Sequence, residues 1–560
     1  MGSIPNEEKH DALVVGLGFG GLYSLYLLKQ LGLDVKAVES GADVGGRHMV
    51  LEQVSILDEG SDLFLILFRY PGARSDVTSD TYRYSWDKDL LQSSPWEHNY
   101  LLQPELQSYF REIATKHDLY RHVSFNSDLQ SAHWDETSNT WRATTSDNKT
   151  YVVRYLITSL GITHKPYIPQ IPDLDKFTGQ ITHTSKWADS ISWENKRIAV
   201  IGSGASGVQI TSSLALKAGS LTHFIRHAQY VLPAQYRRIS SAEREVINAK
   251  YEKLWHEVFT SAVGFGFPEP NRPTFSVSPE DREQIFQDLW DEGSGFRFLF
   301  GGFSDLVVDE AANKEAIKFI HRKIKEIVKD DAKVEVLTSN DLFARRPLTD
   351  DFYYERFNQP NVHAVDLKKT PIVKAVPEGL QTEDGKVHEF DLIVFATGFD
   401  ATDGSYYRID WKGKAGKSLE DHWLGQGGPR THLGISTSSF PNLFFVNGPG
   451  VPFANNPPVT ENSAEFARDL IVRSEALKKE GKGSGVVESS KEAEEKWLKV
   501  CTDIGNATLF AKTGSWFFGE NVPGRNHSPR FFFGGIARWR AAVADVKAKG
   551  YEGFDFGEEK

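Results

Sequence analysis

The sequence Leu13-Val-Val-Gly16-Leu-Gly18-Phe-Gly-Gly21 joins an apolar run to residues 22–31, which have the apolar spacing of a helix. The run predicts a buried strand, and the glycines allow a tight turn that lets the backbone approach a pyrophosphate. The helix N-terminus adds unpaired N–H groups and the positive end of its dipole. Glu39 ends the next predicted strand, where a carboxylate can accept a ribose hydroxyl. This stretch therefore predicts a Rossmann-like dinucleotide site; an ordinary glycine turn is the alternative.

A second glycine turn, Gly202-Ser-Gly204-Ala-Ser-Gly207, follows another apolar run. Its next predicted strand, Leu221-Thr-His-Phe-Ile225, ends at Arg226 and carries no acid. Because a guanidinium pairs with phosphate oxygens through two parallel hydrogen bonds, Arg226 suits an adenosine 2′-phosphate. The first turn therefore predicts FAD and the second predicts NADPH rather than NADH. The alternative is that Arg226 is a solvated surface arginine.

The bulk composition is that of an ordinary soluble protein, with 40% hydrophobic and 25% charged residues. A chain of 560 residues predicts two or three domains. The net charge of −12 argues against a nucleic-acid partner or an anionic membrane surface, because both need a basic face. No apolar stretch approaches the roughly 18 residues of a spanning helix, and the early first strand leaves no room for a signal peptide. We therefore expect a cytoplasmic protein.

The chain has one cysteine, Cys501, so it can form no internal disulfide and no cysteine metal site, and we predict no metal. Many proteins with two dinucleotide units are disulfide reductases, which need a redox pair of cysteines. This chain is not one of them. Dioxygen is then the leading acceptor for electrons from a reduced flavin.

The order of predicted elements indicates an α/β fold class, with two Rossmann-like dinucleotide-binding domains and a helical insertion. We predict an FAD-binding domain from 1–160 and 397–560, an NADP-binding domain from 161–231 and 342–396, and the helical insertion at 232–341.

Shorter segments refine this outline. Val334-Glu-Val-Leu337 predicts a strand, and residues 488–499 predict a charged, solvated helix. We expect a substrate pocket lined by the insertion, by the stretch after Gly398 and by the loop at 447–456.

Between the two turns lies Phe177-Thr-Gly179-Gln-Ile-Thr-His183-Thr-Ser-Lys-Trp187. It matches the pattern Phe-x-Gly-x-x-x-His-x-x-x-Trp, and with it the chain resembles the Baeyer–Villiger monooxygenases, which use FAD and NADPH. The resemblance covers nearly the whole chain. Three further segments carry it: Arg69-Tyr-Pro-Gly-Ala-Arg-Ser-Asp76, Arg345-Arg346-Pro347, and Ser515-Trp516-Phe-Phe-Gly519.

The resemblance implies roles for particular residues. In the family, the arginine matching Arg346 stabilises a flavin peroxide and the aspartate matching Asp76 orients it, so both are expected to be catalytic. Arg345 replaces the family's lysine and keeps the charge expected at the 2′-phosphate. His227 stands where the family commonly has threonine.

Other implied roles concern binding and coupling. The tryptophan matching Trp516 closes over the nicotinamide nucleotide, and the histidine matching His183 is tied to domain coupling rather than to bond-making. The resemblance also implies flavin contacts at Gly46, Asp76 and Tyr82. Simple core packing is the alternative for Trp516.

These residue types suit the implied reaction, in which NADPH reduces FAD, oxygen adds to give a C4a-peroxyflavin, and the peroxide attacks a ketone. Carbon migration then gives an ester or lactone. The peroxide must stay anionic, so it needs a cation that keeps its proton, and arginine, which stays protonated in proteins, is such a cation. A neighbouring carboxylate holds the guanidinium, and preorganised charge of this kind is often the largest catalytic contribution.

The chain departs from the family at residues 47–68, where a longer segment replaces the family's short aromatic one. Either a genuine insertion or an error in the gene model would produce this segment. Because the family's aromatic residues lie beside the flavin, FAD binding is the property in question.

Two other functions remain open from the sequence. One is an N- or S-oxygenating flavin monooxygenase, and the other is an inactive nucleotide-binding protein disabled by residues 47–68. The identity of the ketone, the regiochemistry and the oligomeric state are not encoded in any recognisable motif.

Overall fold

The computed structural model describes residues 6–45, 70–188 and 190–557. The predicted flavin contact at Gly46, the matching residue Arg69 and the unusual segment 47–68 lie outside these ranges.

The strands in the described ranges are, in chain order, β1 (Asn6–Val15), β2 (Val35–Val38), β3 (Val123–Ser124), β4 (Leu129–Asp135), β5 (Thr140–Thr145), β6 (Lys149–Thr158), β7 (Lys165–Pro166), β8 (Gln180–His183), β9 (Arg197–Ile201), β10 (Ser220–Ile225), β11 (Val231–Leu232), β12 (Leu348–Thr349), β13 (Val362–Asp366), β14 (Ile372–Val376), β15 (Gly379–Thr382), β16 (Val387–Glu389), β17 (Leu392–Phe395), β18 (Phe399–Asp400), β19 (Asp410–Lys412), β20 (Leu443–Phe445), β21 (Glu488–Ser489) and β22 (Phe554–Asp555).

The α-helices in the same ranges are α1 (Phe19–Gln30), α2 (Lys88–Ser93), α3 (Gln103–Lys116), α4 (Ala205–Leu214), α5 (Ser241–Asn248), α6 (Tyr251–Thr260), α7 (Pro279–Glu292), α8 (Gly295–Phe300), α9 (Glu310–Ile327), α10 (Asp331–Leu337), α11 (Tyr353–Arg356), α12 (Leu419–Leu424), α13 (Asn456–Lys479), α14 (Lys491–Asn506) and α15 (Ile536–Ala548). None of the helices in these ranges combines the length and the apolar composition that crossing a bilayer requires.

The first sheet has eight strands in the order β19-β4-β5-β6-β1-β2-β3, and β20 also pairs with β6. The central strand β1 is parallel to β2 and β6, with Val15 opposite Val38 and Thr158. β6 is long enough to pair antiparallel with β5 in its first half and parallel with β20 in its second. The carboxyl ends of β1, β2 and β6 therefore meet at one edge, where α/β proteins bind ligands.

The second sheet has five parallel strands in the order β13-β10-β9-β17-β8. Its central strand β9 ends at Ile201, which lies opposite Phe224 of β10 and Phe395 of β17. The two sheets thus share one plan: a central strand, then a glycine turn, then a helix. The exact domain boundaries given above stay a prediction.

Helices α5 to α10 form one run, and the chain enters and leaves it through the parallel pair β11 and β12. Phe286, Phe298 and Phe319 pack together inside it, with ring centroids 5.5–5.9 Å apart. The strand predicted over 334–337 is wrong, because these residues belong to α10. Asp330 caps that helix by accepting the N–H groups of residues 332 and 333, and Val334 and Leu337 share its buried face.

Helix α14 differs from the solvated helix predicted over 488–499. Glu494, Trp497 and Cys501 recur at helical spacing and are buried, so one face of the helix belongs to the core. The Glu494 carboxylate accepts the N–H of Ser438 at 2.6 Å and the Ser438 hydroxyl at 2.8 Å. Other charged residues of the helix are exposed, among them Lys491, Glu492, Glu495, Lys496 and Lys499.

Candidate active site

The first glycine turn links β1 to α1, and its glycines differ in their surroundings. Gly16 has a φ of +85°, and a Cβ there would lie 2.4 Å from the Ser159 carbonyl oxygen. A Cβ at Gly21 would lie 1.7 Å from the Gly16 carbonyl oxygen. Among the described residues, the nearest non-neighbouring atom to a Cβ at Gly18 is the Gly45 carbonyl oxygen, 3.8 Å away. The turn is therefore closed behind and open at Gly18, where a pyrophosphate would approach.

The Glu39 carboxylate is tied to this turn. Its Oε2 accepts the N–H of Leu17 at 2.7 Å, and its Oε1 accepts the N–H of Gly41 at 2.8 Å and the Ser40 hydroxyl at 3.1 Å. Glu39 is buried, and burial raises the pKa of its carboxyl despite these hydrogen bonds. Because a carboxylate has about four acceptor directions, Glu39 can still accept a ribose hydroxyl from the cavity that it lines.

The second glycine turn links β9 to α4 and repeats this geometry. Gly202 has a φ of +108°, and a Cβ there would lie 2.5 Å from the Ala396 carbonyl oxygen. A Cβ at Gly207 would lie 1.9 Å from the Gly202 carbonyl oxygen, whereas a Cβ at Gly204 meets no described atom within 4 Å. The residues present therefore fit a dinucleotide at each turn.

A histidine anchors the second turn. His223 Nε2 donates to the Gly202 carbonyl oxygen at 2.9 Å, which leaves Nδ1 as an acceptor for the Tyr353 hydroxyl at 3.2 Å. Burial lowers the pKa of His223 from its usual 6.5 to about 4. The imidazole is therefore neutral at pH 7, and its tautomer is fixed by the backbone of the turn.

Both turns open into one cavity of about 860 Å³. The predicted site residues that line it are Gly16, Gly18, Glu39, Asp76, Tyr82, Gly202, Gly204, Arg226, Arg345, Arg346 and Trp516. Gly21 and Gly207 lie behind the turns, against the carbonyl groups described above. The structure thus brings together residues that are far apart in the sequence.

Arg346 and Asp76 meet in this cavity, with Nη2 of the arginine in ion-pair contact with Oδ2 of the aspartate. Asp76 is largely buried, with 16% of its side chain exposed, and the Arg346 guanidinium is its ion-pair partner. The Arg346 guanidinium also lies 5.7 Å from the ring centroid of Phe296. With 29% of its side chain exposed, Arg346 is held from two sides and still faces the cavity.

Two basic side chains contact a single carboxylate near the second turn. Arg345 Nη2 lies 3.1 Å and His227 Nδ1 lies 3.2 Å from Oδ2 of Asp341. Desolvation lowers the pKa of Arg345, and the positive charge of nearby Arg226 lowers it further. Arg226 is exposed and lines the cavity. This excess of positive charge suits an anion such as a 2′-phosphate.

The Phe-x-Gly-x-x-x-His-x-x-x-Trp segment lies beside the cavity. His183 Nε2 lies 3.2 Å from the Gly398 carbonyl oxygen, and the His183 ring meets Phe399 edge-on. Phe177 and Trp187 are buried, and a Cβ at Gly179 would lie 2.4 Å from the Phe177 ring. His183 therefore contacts the chain just after β17, and its coupling role stays a prediction.

Trp516 lies on a segment attached at both ends. The Arg345 guanidinium donates to the Thr513 carbonyl oxygen, at 2.9 Å from Nε. Asn521 Nδ2 donates to the Phe399 carbonyl oxygen at 2.7 Å. Between these contacts the Trp516 ring packs edge-on against Phe531 at a centroid distance of 5.4 Å. The segment holds Trp516 at the cavity wall, next to Arg345.

The apolar wall of the cavity comes from the segments expected for the substrate pocket. Phe265 and Phe296 stack at a centroid distance of 4.2 Å in the helical run, and Phe453 belongs to the loop at 447–456. Phe399 and Ala401 follow Gly398 along the chain. The cavity therefore combines two polar turns with one aromatic region.

The sequence prediction missed Asp350 and its partner Arg74, whose Nη2 lies 2.8 Å from Asp350 Oδ2. The two residues are separated by 276 positions, and no motif marks Asp350. Asp350 follows Arg346 by four residues, but nothing in the sequence indicates that its partner is Arg74.

Comparison with known proteins identifies the family of the chain. The model of the flavin-binding monooxygenase-like family matches residues 9–239. A phenazine N-monooxygenase from Lysobacter antibioticus is 40% identical over 553 residues, which cover 98% of both chains. A Baeyer–Villiger monooxygenase from Pseudooceanicola batsensis is 40% identical, covering 97% of this chain and 95% of the relative.

A solved structure agrees with these relatives. The crystal structure of cyclohexanone monooxygenase from Rhodococcus sp. Phi1, bound to NADP+, superposes with a TM-score of 0.92 at 40% identity. The match covers 99% of this chain and 100% of the other. The α/β fold class predicted from the sequence is confirmed. The family prediction is confirmed as well: the chain belongs to the Baeyer–Villiger monooxygenases.

Proposed function

We propose that this protein inserts one oxygen atom of O2 beside the carbonyl of a small-molecule ketone, giving an ester or a lactone. As a family member it is a flavoprotein monooxygenase that uses FAD and NADPH. One observation carries the proposal: the Arg346–Asp76 ion pair lies in the cavity into which both dinucleotide turns open.

The bound flavin supplies the chemistry of hydride acceptance from NADPH and oxygen transfer from O2. The side chains supply the electrostatics. An arginine side chain is a fixed positive charge in proteins, so Arg346 can stabilise a developing anion without transferring a proton to it. Asp76 orients the guanidinium, and the charge is in place before the reaction.

The aromatic wall serves a second requirement, the exclusion of water. Phe265 and Phe296 stack beside Arg346, and Phe453 contacts Phe517 at a centroid distance of 4.6 Å. A closed apolar wall strengthens the charge interactions and suppresses side reactions with water. It also favours a ketone with an apolar body, which leaves only the carbonyl to be fixed by polar groups.

The replacement of Arg346 by alanine tests the proposal. We expect Arg346→Ala to oxidise NADPH at a rate within about tenfold of the original protein, while ester formation falls by about 10³-fold, the upper range for loss of one preorganised charge. The two rates are measured with a cyclic ketone, by NADPH absorbance and by gas chromatography.

The matched variant Arg346→Lys keeps a charge but loses the planar fork, and it should recover only part of the ester yield. Normal ester formation by Arg346→Ala would remove this residue from the proposed role.

A second candidate function is N-oxygenation, favoured by the phenazine N-monooxygenase that is 40% identical over nearly the whole chain. Product analysis with a cyclic ketone and with phenazine in parallel separates the two. An N-oxide with no ester would favour this second function.

The inactive-protein alternative rests on residues 47–68 and is tested by colour. Purified protein with a working first site is yellow, and a colourless preparation that added FAD cannot restore would favour inactivity. The cytoplasmic location is a further proposal, which cell fractionation tests.

A further inference from the structure

The loop that ends at Asp76 is fastened to helix α4. The Tyr70 hydroxyl donates to Gln209 Oε1 at 2.8 Å and lies 3.2 Å from the Ser206 hydroxyl. Gln209 Nε2 in turn donates to the Arg74 carbonyl oxygen at 3.2 Å. Because α4 begins at the second glycine turn, the position of Asp76 is set by the element that carries the second dinucleotide site.

The segment that carries Arg346 is also attached to helix α4, through the buried carboxylate of Asp350. Asp350 Oδ1 accepts the Ser212 hydroxyl of α4 at 2.6 Å and the N–H of Phe352 at 2.9 Å. Its Oδ2 accepts Nη2 of Arg74 at 2.8 Å. The Asp350 side chain is 2% exposed and lies behind the cavity wall, four residues after Arg346.

Two ion pairs therefore join the same two segments. Asp76 pairs with Arg346, and this pair is called the outer pair because it lies in the cavity. Arg74 pairs with the buried Asp350, and this pair is called the inner pair. The two ion pairs together form a clamp between the segment of Arg74 and Asp76 and the segment of Arg346 and Asp350. The Arg74 guanidinium also lies over the Tyr236 ring, 5.0 Å from its centroid. A buried carboxylate without its cation is strongly unfavourable, so the inner pair permits only one alignment of the two segments.

Resting on the proposed function, we propose that Asp350 is a positioning residue, which acts through Arg74 to hold Asp76 and Arg346 at their working distance. Burial raises the pKa of Asp350 while the charge of Arg74 lowers it, so the carboxylate depends on this arginine. Asp350 touches neither turn. Its effect on the reaction passes through the alignment of the outer pair.

The replacement of Asp350 by asparagine removes the charge and keeps the shape. In the FAD-loaded protein we expect Asp350→Asn to lower ester formed per NADPH by about tenfold, less than the 10²-fold that a 1 Å misplacement costs. Hydrogen peroxide release should rise in step, and the KM for NADPH should stay within about twofold. If the Asp350→Asn protein forms as much ester per NADPH as the original protein, the proposal is wrong.

A double-mutant cycle tests whether the effect passes through the outer pair. Once Asp76→Asn has broken that pair, adding Asp350→Asn should lower the ester yield by less than about twofold further, because coupled sites are not additive. Fully additive losses would show that Asp350 acts by another route and overturn the proposal.

Hydrogen–deuterium exchange gives a readout that needs no turnover. Asp350→Asn should speed exchange in peptides covering both 70–77 and 345–352 of the FAD-loaded protein. Unchanged exchange in either peptide would contradict the clamp. Should Asp350→Asn fail to fold, Ser212→Ala removes one hydrogen bond to Asp350 and should show the same changes at smaller size.

Glu494→Gln is the matched control, since Glu494 is an equally buried carboxylate on α14. It should lower the Tm and leave the ester yield per NADPH unchanged. A comparable yield loss in this control would reduce Asp350 to a general stability effect. If the original protein forms no ester, the proposed function fails, while the exchange experiment still decides whether the clamp exists.

Discussion

The two glycine turns have the same backbone and different anchors. In each, the first glycine has a positive φ, the middle one is open, and the last lies against the carbonyl oxygen of the first. Glu39 accepts the N–H of Leu17 in the first turn, whereas His223 donates to the Gly202 carbonyl oxygen in the second. The glycines of both turns fit a dinucleotide, and the proposal that the first turn takes FAD and the second NADPH rests on Glu39 and Arg226, which follow the next strand of each unit.

The largest effect should come from closing one turn at a time. An alanine Cβ at Gly21 or Gly207 would lie within 2 Å of a carbonyl oxygen, so helix and strand must separate. We expect Gly21→Ala to lose bound flavin, and Gly207→Ala to stay yellow while failing to oxidise NADPH. Absorbance near 450 nm and NADPH consumption measure the two properties.

Gly32→Ala is the control for this pair. Gly32 also has a positive φ, of +75°, but no described atom lies within 4 Å of its Cβ position. It should cost about 1–2 kcal/mol of strain and leave both sites working. Flavin loss in Gly207→Ala to the same extent as in Gly21→Ala would show that the two turns do not act separately.

An intermediate effect should come from the two arginines proposed to bind the 2′-phosphate, Arg226 and Arg345. Arg226→Gln and Arg345→Gln should each raise the KM for NADPH about 10- to 100-fold, because a hydrogen bond to a charged group contributes about 1.5–3 kcal/mol. The KM for NADH, which lacks the phosphate, should stay nearly constant. Steady-state kinetics with both nucleotides measures this.

Arg238→Gln serves as the control, since that side chain is 78% exposed and pairs with Glu97. It should change neither KM. Equal increases for NADH and NADPH in the Arg226 variant would mean that Arg226 does not read the 2′-phosphate.

The smallest effect should be a loss of stability at acidic pH, caused by His223 at the second turn. Because the pKa of His223 is lowered from 6.5 to about 4, the unfolded chain takes up a proton over this range before the folded one does. The free energy of unfolding therefore keeps the full contribution of neutral His223 above pH 6.5. It falls by about 3 kcal/mol at most as the pH is lowered toward 4.

The comparison with His223→Gln isolates this contribution, since the amide can still donate to Gly202 but does not titrate. Between pH 6.5 and 4.5 the Tm of the original protein should fall more steeply than that of the variant. Burial lowers the pKa of His432 to about 4 as well, so the difference between the two curves is the informative quantity. Parallel curves would contradict the prediction.

The elements next to the glycine turns were predictable because their signals are local. Strand, turn, helix and the following Glu39 or Arg226 lie within about 30 residues, and backbone sterics demand glycine in the turns. The helix at 334–337 was not predictable in this way. Its two valines favour a strand, whereas the Asp330 cap and the burial of Val334 and Leu337 on one face favour a helix. Short apolar runs leave that choice to tertiary contacts.

The site shows the same division. Arg346 and Asp76 could be named from segments that resemble a family, and the structure puts them in contact. The Arg74–Asp350 pair could not, because it depends on where α4 lies relative to two loops. A charged residue in an unremarkable sequence gives no sign that it is 2% exposed.

The buried thiol on α14 has a practical consequence. Cys501 is the only cysteine of the chain, it is 2% exposed, and burial raises the pKa of its thiol. The thiolate is the reactive form, so this sulfur is protected both from oxidants and from alkylating reagents. A cysteine introduced at an exposed position such as Lys512 would therefore accept a maleimide dye selectively. Fluorescence from that dye would test whether the neighbouring Trp516 segment moves, and Cys501 would not have to be replaced first.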